Sequence, residues 1–291
     1  MPVGSRARST GSGVGYALIW YAERAILPGN GHATTRRAWC STPKVDRVDS
    51  AGPNSRLPVR RPAEMPDRAP SMTAPIVLFG TGQIAELAEF YFTHDSSQRI
   101  AAYTVDGHHL KEPSLRGLPV VAFEEIEKAF PPDRYAMFVA VSYSGMNTLR
   151  AQKFNQARQK GYDLAHYISS KATVWPGFER RANQFILEDN TIQPFACVGE
   201  NVTLWSGNHI GHHASIGDHV FVASHVVVSG NVTIGQRCFL GVNATIREGI
   251  HVADGTLIGA GSLVMKNTAE DSLHAARATQ ASPVPASRSG L

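Results

Sequence analysis

The sequence predicts two joined architectures: a small parallel α/β domain, then a solenoid of short parallel strands. Two observations carry this. Between residues 74 and 161, apolar strand-like runs alternate with helical patterns, and a Gly-x-Gly turn follows the first run. Then, from Ile186 to Val264, every sixth residue is Ile, Leu or Val, fourteen positions of fourteen. A random scatter of the 24 such residues in those 79 would put about four in phase. A period of six fits neither a helix nor a single alternating strand. It fits strand, corner, strand, with three hexads to a coil. Four residues after each aliphatic position the side chain is mostly small or β-branched, as at Ala196, Val202, Ala214, Val220 and Ala244.

The α/β part is read element by element. Ala74–Phe79 is an apolar strand that runs into Gly80-Thr81-Gly82. Ile84, Ala85, Leu87, Ala88 and Tyr91 follow on a helical spacing. Arg99–Val105 is a second strand, ending at Asp106-Gly107. Pro119–Ala122 is a third, with a helix from Glu124 to Phe130, and Tyr135–Val141 is a fourth. Met146–Lys160 is an amphipathic helix stopped by Gly161. Such alternation predicts a Rossmann-like parallel sheet, too short for a full dinucleotide fold. Gly80-Thr81-Gly82-Gln83-Ile84-Ala85 reads G-x-G-x-x-A between strand and helix, where backbone N–H groups can face a phosphate. Asp106 stands after the second strand, where a carboxylate can accept hydroxyl hydrogen bonds. A structural tight turn is the plainer alternative for the glycines.

Composition narrows the function classes. The net charge of +4 is uneven: residues 1–71 carry eleven basic and five acidic residues, and 72–291 carry 17 and 19. The basic excess belongs to the first segment, so the remainder has no electrostatic reason to bind nucleic acid. Residues 1–71 are rich in Arg, Pro, Ser and Gly without periodicity, and are expected to be a disordered leader. No apolar run reaches transmembrane length, so no membrane insertion is expected. Three widely spaced cysteines, Cys40, Cys197 and Cys238, suggest a reducing, cytoplasmic setting and no disulfide framework.

Residues 208–219 hold four of the twelve histidines: His209, His212, His213 and His219. Imidazole titrates nearest neutral pH and suits general-base work. A metal cluster is the rival. Residues stacked in neighbouring coils are 18 apart, and no two histidines from 209 to 251 are so spaced. No metal is therefore expected within one chain.

The hexad pattern resembles the hexapeptide-repeat family, which implies a left-handed parallel β-helix and, in most members, an acyl-CoA-dependent acyltransferase. The hand comes from the resemblance, since strand crossovers in general are right-handed. A short Gly-loop α/β domain directly before the repeats is similar to the group of sialic acid O-acetyltransferases and bacillosamine and perosamine N-acetyltransferases, over roughly residues 74–267. Four segments are expected: a disordered leader over 1–71 and a tail over 271–291 from composition, and, as the resemblance implies, a sugar-nucleotide-binding α/β domain over 72–170 and an acyltransferase β-helix over 171–270. It implies that Gly80, Gly82, Asp106 and Ser142 hold the nucleotide part of a nucleotide-linked sugar. The family pattern I-x-H-x-x-x-I-G falls on Ile210, His212, Ile216 and Gly217, which makes His212 the implied general base. Relatives often carry an acid after that histidine. Here His213 stands there, and His213 and Asp218 are the candidate supports. Relatives can also carry a histidine where Phe221 stands. Gly230, Val242, Gly259 and Ala260 match positions that hold acetyl-CoA. A homotrimer with sites between neighbours is implied, and Val226, Val227 and Phe239 are candidates to pack it. The implied function is acyl transfer to the amine of a nucleotide-linked amino sugar for surface polysaccharide. O-acylation of a sialic-acid-like sugar and a non-catalytic sugar-nucleotide-binding scaffold stay open as alternatives.

Overall fold

The computed structural model describes residues 74–278, together with 280, 281, 283 and 288. The leader segment, with Cys40, lies outside the described residues. Ile76–Phe79 (β1), Ile100–Val105 (β2), Leu118–Ala122 (β4) and Ala136–Val139 (β5) form a parallel sheet. Ser114–Leu115 (β3) adds an antiparallel edge that the sequence reading did not anticipate. Two residues in a hairpin are too short to show a period. The order is β3-β4-β2-β1-β5. Gln83–Asp95 (α1), Ile126–Ala129 (α2) and Thr148–Gln159 (α3) connect the strands. β1 and β5 are buried at every position, as expected of strands covered on both faces.

The second architecture is a left-handed parallel β-helix of hexapeptide repeats. Its strands are two residues long and stack in three sheets, pairing residue i with i+18 except at the last strand of the third sheet, where Leu257 pairs with Leu273. The first sheet runs through 191–192, 209–210, 227–228 and 245–246. The second runs through 197–198, 215–216, 233–234 and 251–252. The third runs through 185–186, 203–204, 221–222, 239–240 and 257–258. Tyr167–Ile168 opens this third sheet and Leu273–His274 closes it. The aliphatic position of each hexad points inward, and so does the small residue four later, so both sets share one core. Cys238 belongs to that second set. Its thiol is free and burial pushes it up to about 11, so it is a packing group.

The corners explain the rest of the repeat. From Asn183 to Gly261, the backbone is left-handed at every sixth residue: 183, 189, 195, 201, 207, 213 and so on. Gly, Asn, Asp and His tolerate that conformation best. His213, His219 and His225 all occupy it, at φ 57°, 64° and 58°. Corner geometry thus accounts for these three histidines, and not for His212. Close stacking accounts for several glycines. A Cβ at Gly211 would sit 2.5 Å from the Gly230 nitrogen of the next coil.

The α/β sheet packs on the third sheet of the β-helix. Phe185 and Leu187 lie in one core with β1, β2 and α1. The Asn183 amide pairs with Val139 as a strand would, accepting from its N–H at 2.7 Å and donating to its carbonyl at 3.1 Å. Arg150 of α3 is buried whole. Its guanidinium donates to the carbonyls of Asn201, His219 and Val220, to Thr203 Oγ1, and to Asn147 Oδ1 at 2.8 Å. Tyr143 packs against Phe221 edge-on and against Phe239 at a tilt, with ring centroids 5.0 and 4.8 Å away.

Candidate functional site

A cavity of about 800 Å³ opens beyond the carboxyl ends of β1, β2 and β5. This is where an open α/β sheet presents its loops to a ligand. Gly80, Thr81, Asp106, His108, His109 and Lys153 are among its walls. Gly80 has φ +121°, and a Cβ there would meet the Ala140 carbonyl oxygen at 2.7 Å, so both conformation and space demand glycine. Gly82 precedes α1 with open space around it and no side-chain cap on the helix. Asp106 does line the cavity, but it is not alone. Lys153 of α3 reaches it at 2.5 Å, with the side chains 8 and 16% exposed. The Lys153 ammonium also lies over the rings of Phe79 and Phe123, at 5.3 and 5.4 Å. Sequence reasoning missed Lys153 because one lysine in an amphipathic helix reads as a solvated side chain. Val141 lines the cavity; Ser142, next to it, is not among the lining residues.

The second cluster lies at the corner between the first and second β-helix sheets, where His212 follows the strand 209–210. Its backbone N–H donates to Gln193 Oε1 at 2.8 Å. Its ring faces Gly230 one coil on; a Cβ there would stand 2.7 Å from Cε1 and 2.8 Å from Nε2. Glycine at 230 is thus the space that the imidazole occupies. Among the described residues the Gly230 N–H has no acceptor. On a regular strand His213 would point away from His212, as strand neighbours do. Instead the two Nδ1 atoms are 3.2 Å apart. The reason is the left-handed backbone at His213, which turns the chain at a corner.

Other implied residues are placed elsewhere. Asp218 does not reach His212. Its Oδ1 accepts the Glu200 N–H at 2.7 Å, a corner bond that Asp254 repeats with Gln236 at 2.9 Å. Phe221 faces the α/β domain on the third sheet, away from the His212 corner. Val242 and Ala260 are exposed at the corner between the third and first sheets, one coil apart. They are not at the corner of His212 and Gly230. The Gly259 N–H donates to the His274 carbonyl at 2.7 Å, so it is not open to a ligand. Val226 is core and Phe239 packs on Tyr143 and Phe221; of the three residues expected to pack an interface, Val227 is the exposed one. Among the described residues no group of three or more His, Cys, Asp or Glu could hold a metal, and no helix is long and apolar enough to cross a membrane.

Residues 198–230 match the family described as bacterial transferase hexapeptide, and 231–266 match the hexapeptide repeat of succinyl-transferase. Both matches lie within the β-helix, and together they cover less than half of the chain. No curated protein matches the chain. Solved structures with the same fold include a point variant of perosamine N-acetyltransferase from Caulobacter crescentus in complex with CoA and GDP-perosamine. It is 22% identical with a TM-score of 0.62, covering 68% of this chain and 92% of that one. The acetyltransferase domain of PglB from Neisseria gonorrhoeae is 20% identical with a TM-score of 0.61, covering 70 and 96%. WeeI from Acinetobacter baumannii is 18% identical with a TM-score of 0.59, covering 68 and 95%. The hexapeptide-repeat β-helix and the α/β domain before it are therefore shared together, as one arrangement.

Proposed function

We propose that this protein is an acyl-CoA-dependent acyltransferase that acylates the amine of a nucleotide-linked amino sugar for surface polysaccharide. The observation that carries it is the packing of the His212 ring into the space that Gly230 leaves, on a β-helix that matches transferase hexapeptide repeats. The cavity around Gly80 and Asp106 adds a place for the nucleotide. The similar structure that was solved with CoA and GDP-perosamine supports the two substrate classes.

In this mechanism His212 Nε2 accepts a proton from the sugar amine as the nitrogen attacks the thioester carbonyl. The C–N bond forms, the C–S bond breaks, and the proton passes from His212 to the departing CoA sulfur. The unpaired Gly230 N–H is a donor for the developing oxyanion. Val242 and Ala260 hold the donor's arm. The Asp106–Lys153 pair at the cavity wall presents both an acceptor for sugar or ribose hydroxyls and a cation for phosphate. These substrates place the enzyme in the cytoplasm, where acyl-CoA and nucleotide sugars are made.

The parts lie on different sides of one chain. The nucleotide cavity belongs to the domain packed on the third sheet, whereas His212 stands at the corner opposite that sheet. A complete site therefore takes a cavity and a histidine from different subunits, and a homotrimer of the three-sided β-helix supplies them. Release of CoA thiol from acetyl-CoA, measured across a panel of nucleotide amino sugars, tests the function. No thiol release with any of them, alongside measurable binding of the nucleotide sugar, would favour the scaffold reading.

A further inference from the structure

We propose that His213 is the positioning residue for His212, and that the two rings work as a His–His dyad sharing a single proton between their Nδ1 atoms. The proposal rests on the function proposed above and on geometry at this corner. The Nδ1 atoms are 3.2 Å apart with the ring planes at 84°. Two bare nitrogens would repel at that distance, and so would two N–H groups. One Nδ1 carries a hydrogen and the other accepts it.

His213 is built to be the fixed member. Its backbone sits in the left-handed corner, and its ring lies against Phe195 of the preceding coil, with centroids 4.8 Å apart and planes at 34°. His212 is held by its N–H on Gln193 and by contact with Gly230. The charged groups near this corner are occupied elsewhere. Glu248 accepts from Asn231 at 3.3 Å, Arg247 donates to the Met265 carbonyl, and Asp218 is bonded to Glu200. Among the described residues, His213 is the side-chain hydrogen-bond partner of the His212 ring.

The arrangement has a chemical consequence. When His212 Nδ1–H donates to His213, His212 Nε2 is left bare, which is the form a base needs. When His212 takes the amine proton on Nε2, its Nδ1–H still donates to the same bare nitrogen. The proton is gained without moving either ring or switching a tautomer. His213 keeps its own hydrogen on Nε2 throughout.

The test uses the full chain with His213→Gly and His213→Asn. Both residues accept left-handed backbone, so the corner keeps its shape. Glycine removes the acceptor, and asparagine restores one through its amide oxygen. In the wild type, 15N shifts of the His212 ring should show Nδ1 protonated and Nε2 bare, and His213→Gly should lose that preference. The kcat of His213→Gly should fall about 10-fold or more, short of the full 10²–10⁴ of a lost base. Its KM for acetyl-CoA should stay within about 2-fold of wild type, and His213→Asn should regain most of the kcat. A wild-type His212 protonated on Nε2 would overturn the proposal, as would His213→Asn as slow as His213→Gly. The 15N reading needs no turnover, so it separates failure of the dyad from failure of the acyltransferase reading.

Discussion

Gly230 and His212 are complementary across one coil: the missing side chain of the first is the volume taken by the ring of the second. A Cβ at Gly230 would lie 2.7 Å from His212 Cε1. Gly230 does not have a left-handed backbone, so alanine is acceptable there conformationally. Gly230→Ala should therefore leave the melting temperature nearly unchanged while displacing the imidazole. Acyl transfer should fall by about 10-fold or more, within the range a misplaced base costs. Thermal melting beside a thiol-release assay checks both halves. Full activity would show that the ring position does not matter.

His212→Ala removes the group proposed as base. Turnover should drop about 10²–10⁴-fold, and binding of acetyl-CoA and of the nucleotide sugar by calorimetry should persist. His212 is exposed and makes no core contact, so the variant should fold. Near-normal turnover in this variant would end the general-base reading.

Arg150 joins the two architectures. Burial disfavours its charged form, and hydrogen bonds to acceptors on five residues hold it in place instead of a carboxylate. Arg150→Ala strands those acceptors, at about 1–3 kcal/mol for each left dry. We expect at least about 3 kcal/mol lost in chemical denaturation. A loss below about 1 kcal/mol would mean that water replaces the guanidinium.

His219 gives the same interface a pH dependence. Burial, the largest cause, holds its imidazole below the usual histidine range, although Asp218 pulls the other way. Its Nδ1 meets Asn201 Nδ2 at 2.8 Å and its ring packs on Phe154. The fold keeps the neutral ring, and the unfolded chain takes up its proton first. Stability from this group is thus full above about pH 6.5 and declines as pH falls below it. His219→Asn keeps the left-handed corner and should flatten the melting temperature between pH 7 and pH 5. An unchanged slope would assign the acid sensitivity to other groups, such as His166, which burial also lowers.

Subunit sharing has a direct test. His212→Ala and Gly80→Val chains, each inactive alone, should regain part of the activity when co-expressed. A mixed trimer then holds a site with an intact cavity from one chain and an intact histidine from the other. Light scattering should give a trimeric mass for the wild type. A monomeric mass with full activity would contradict shared sites.

The nature of the β-helix was legible in the residues because its signal is local and repeated. Each coil needs an aliphatic residue at one position and a small one four later, and each corner tolerates few residue types. The Gly80 loop was legible for a similar reason, since its φ and its nearness to Ala140 exclude a side chain. His212 stood out only through the resemblance to the family pattern, two residues after a core position, and the tertiary structure then set it apart from His213, His219 and His225, which the corner backbone explains. What the sequence could not decide were contacts between residues far apart in the chain. Lys153 meets Asp106 across 47 residues, Asp218 turns to Glu200 instead of His212, and the cavity and the histidine face away from each other. Periodicity reports which side of its own coil a residue faces. Which distant group meets it depends on how α3 and the α/β sheet dock on the third sheet, and no local pattern encodes that.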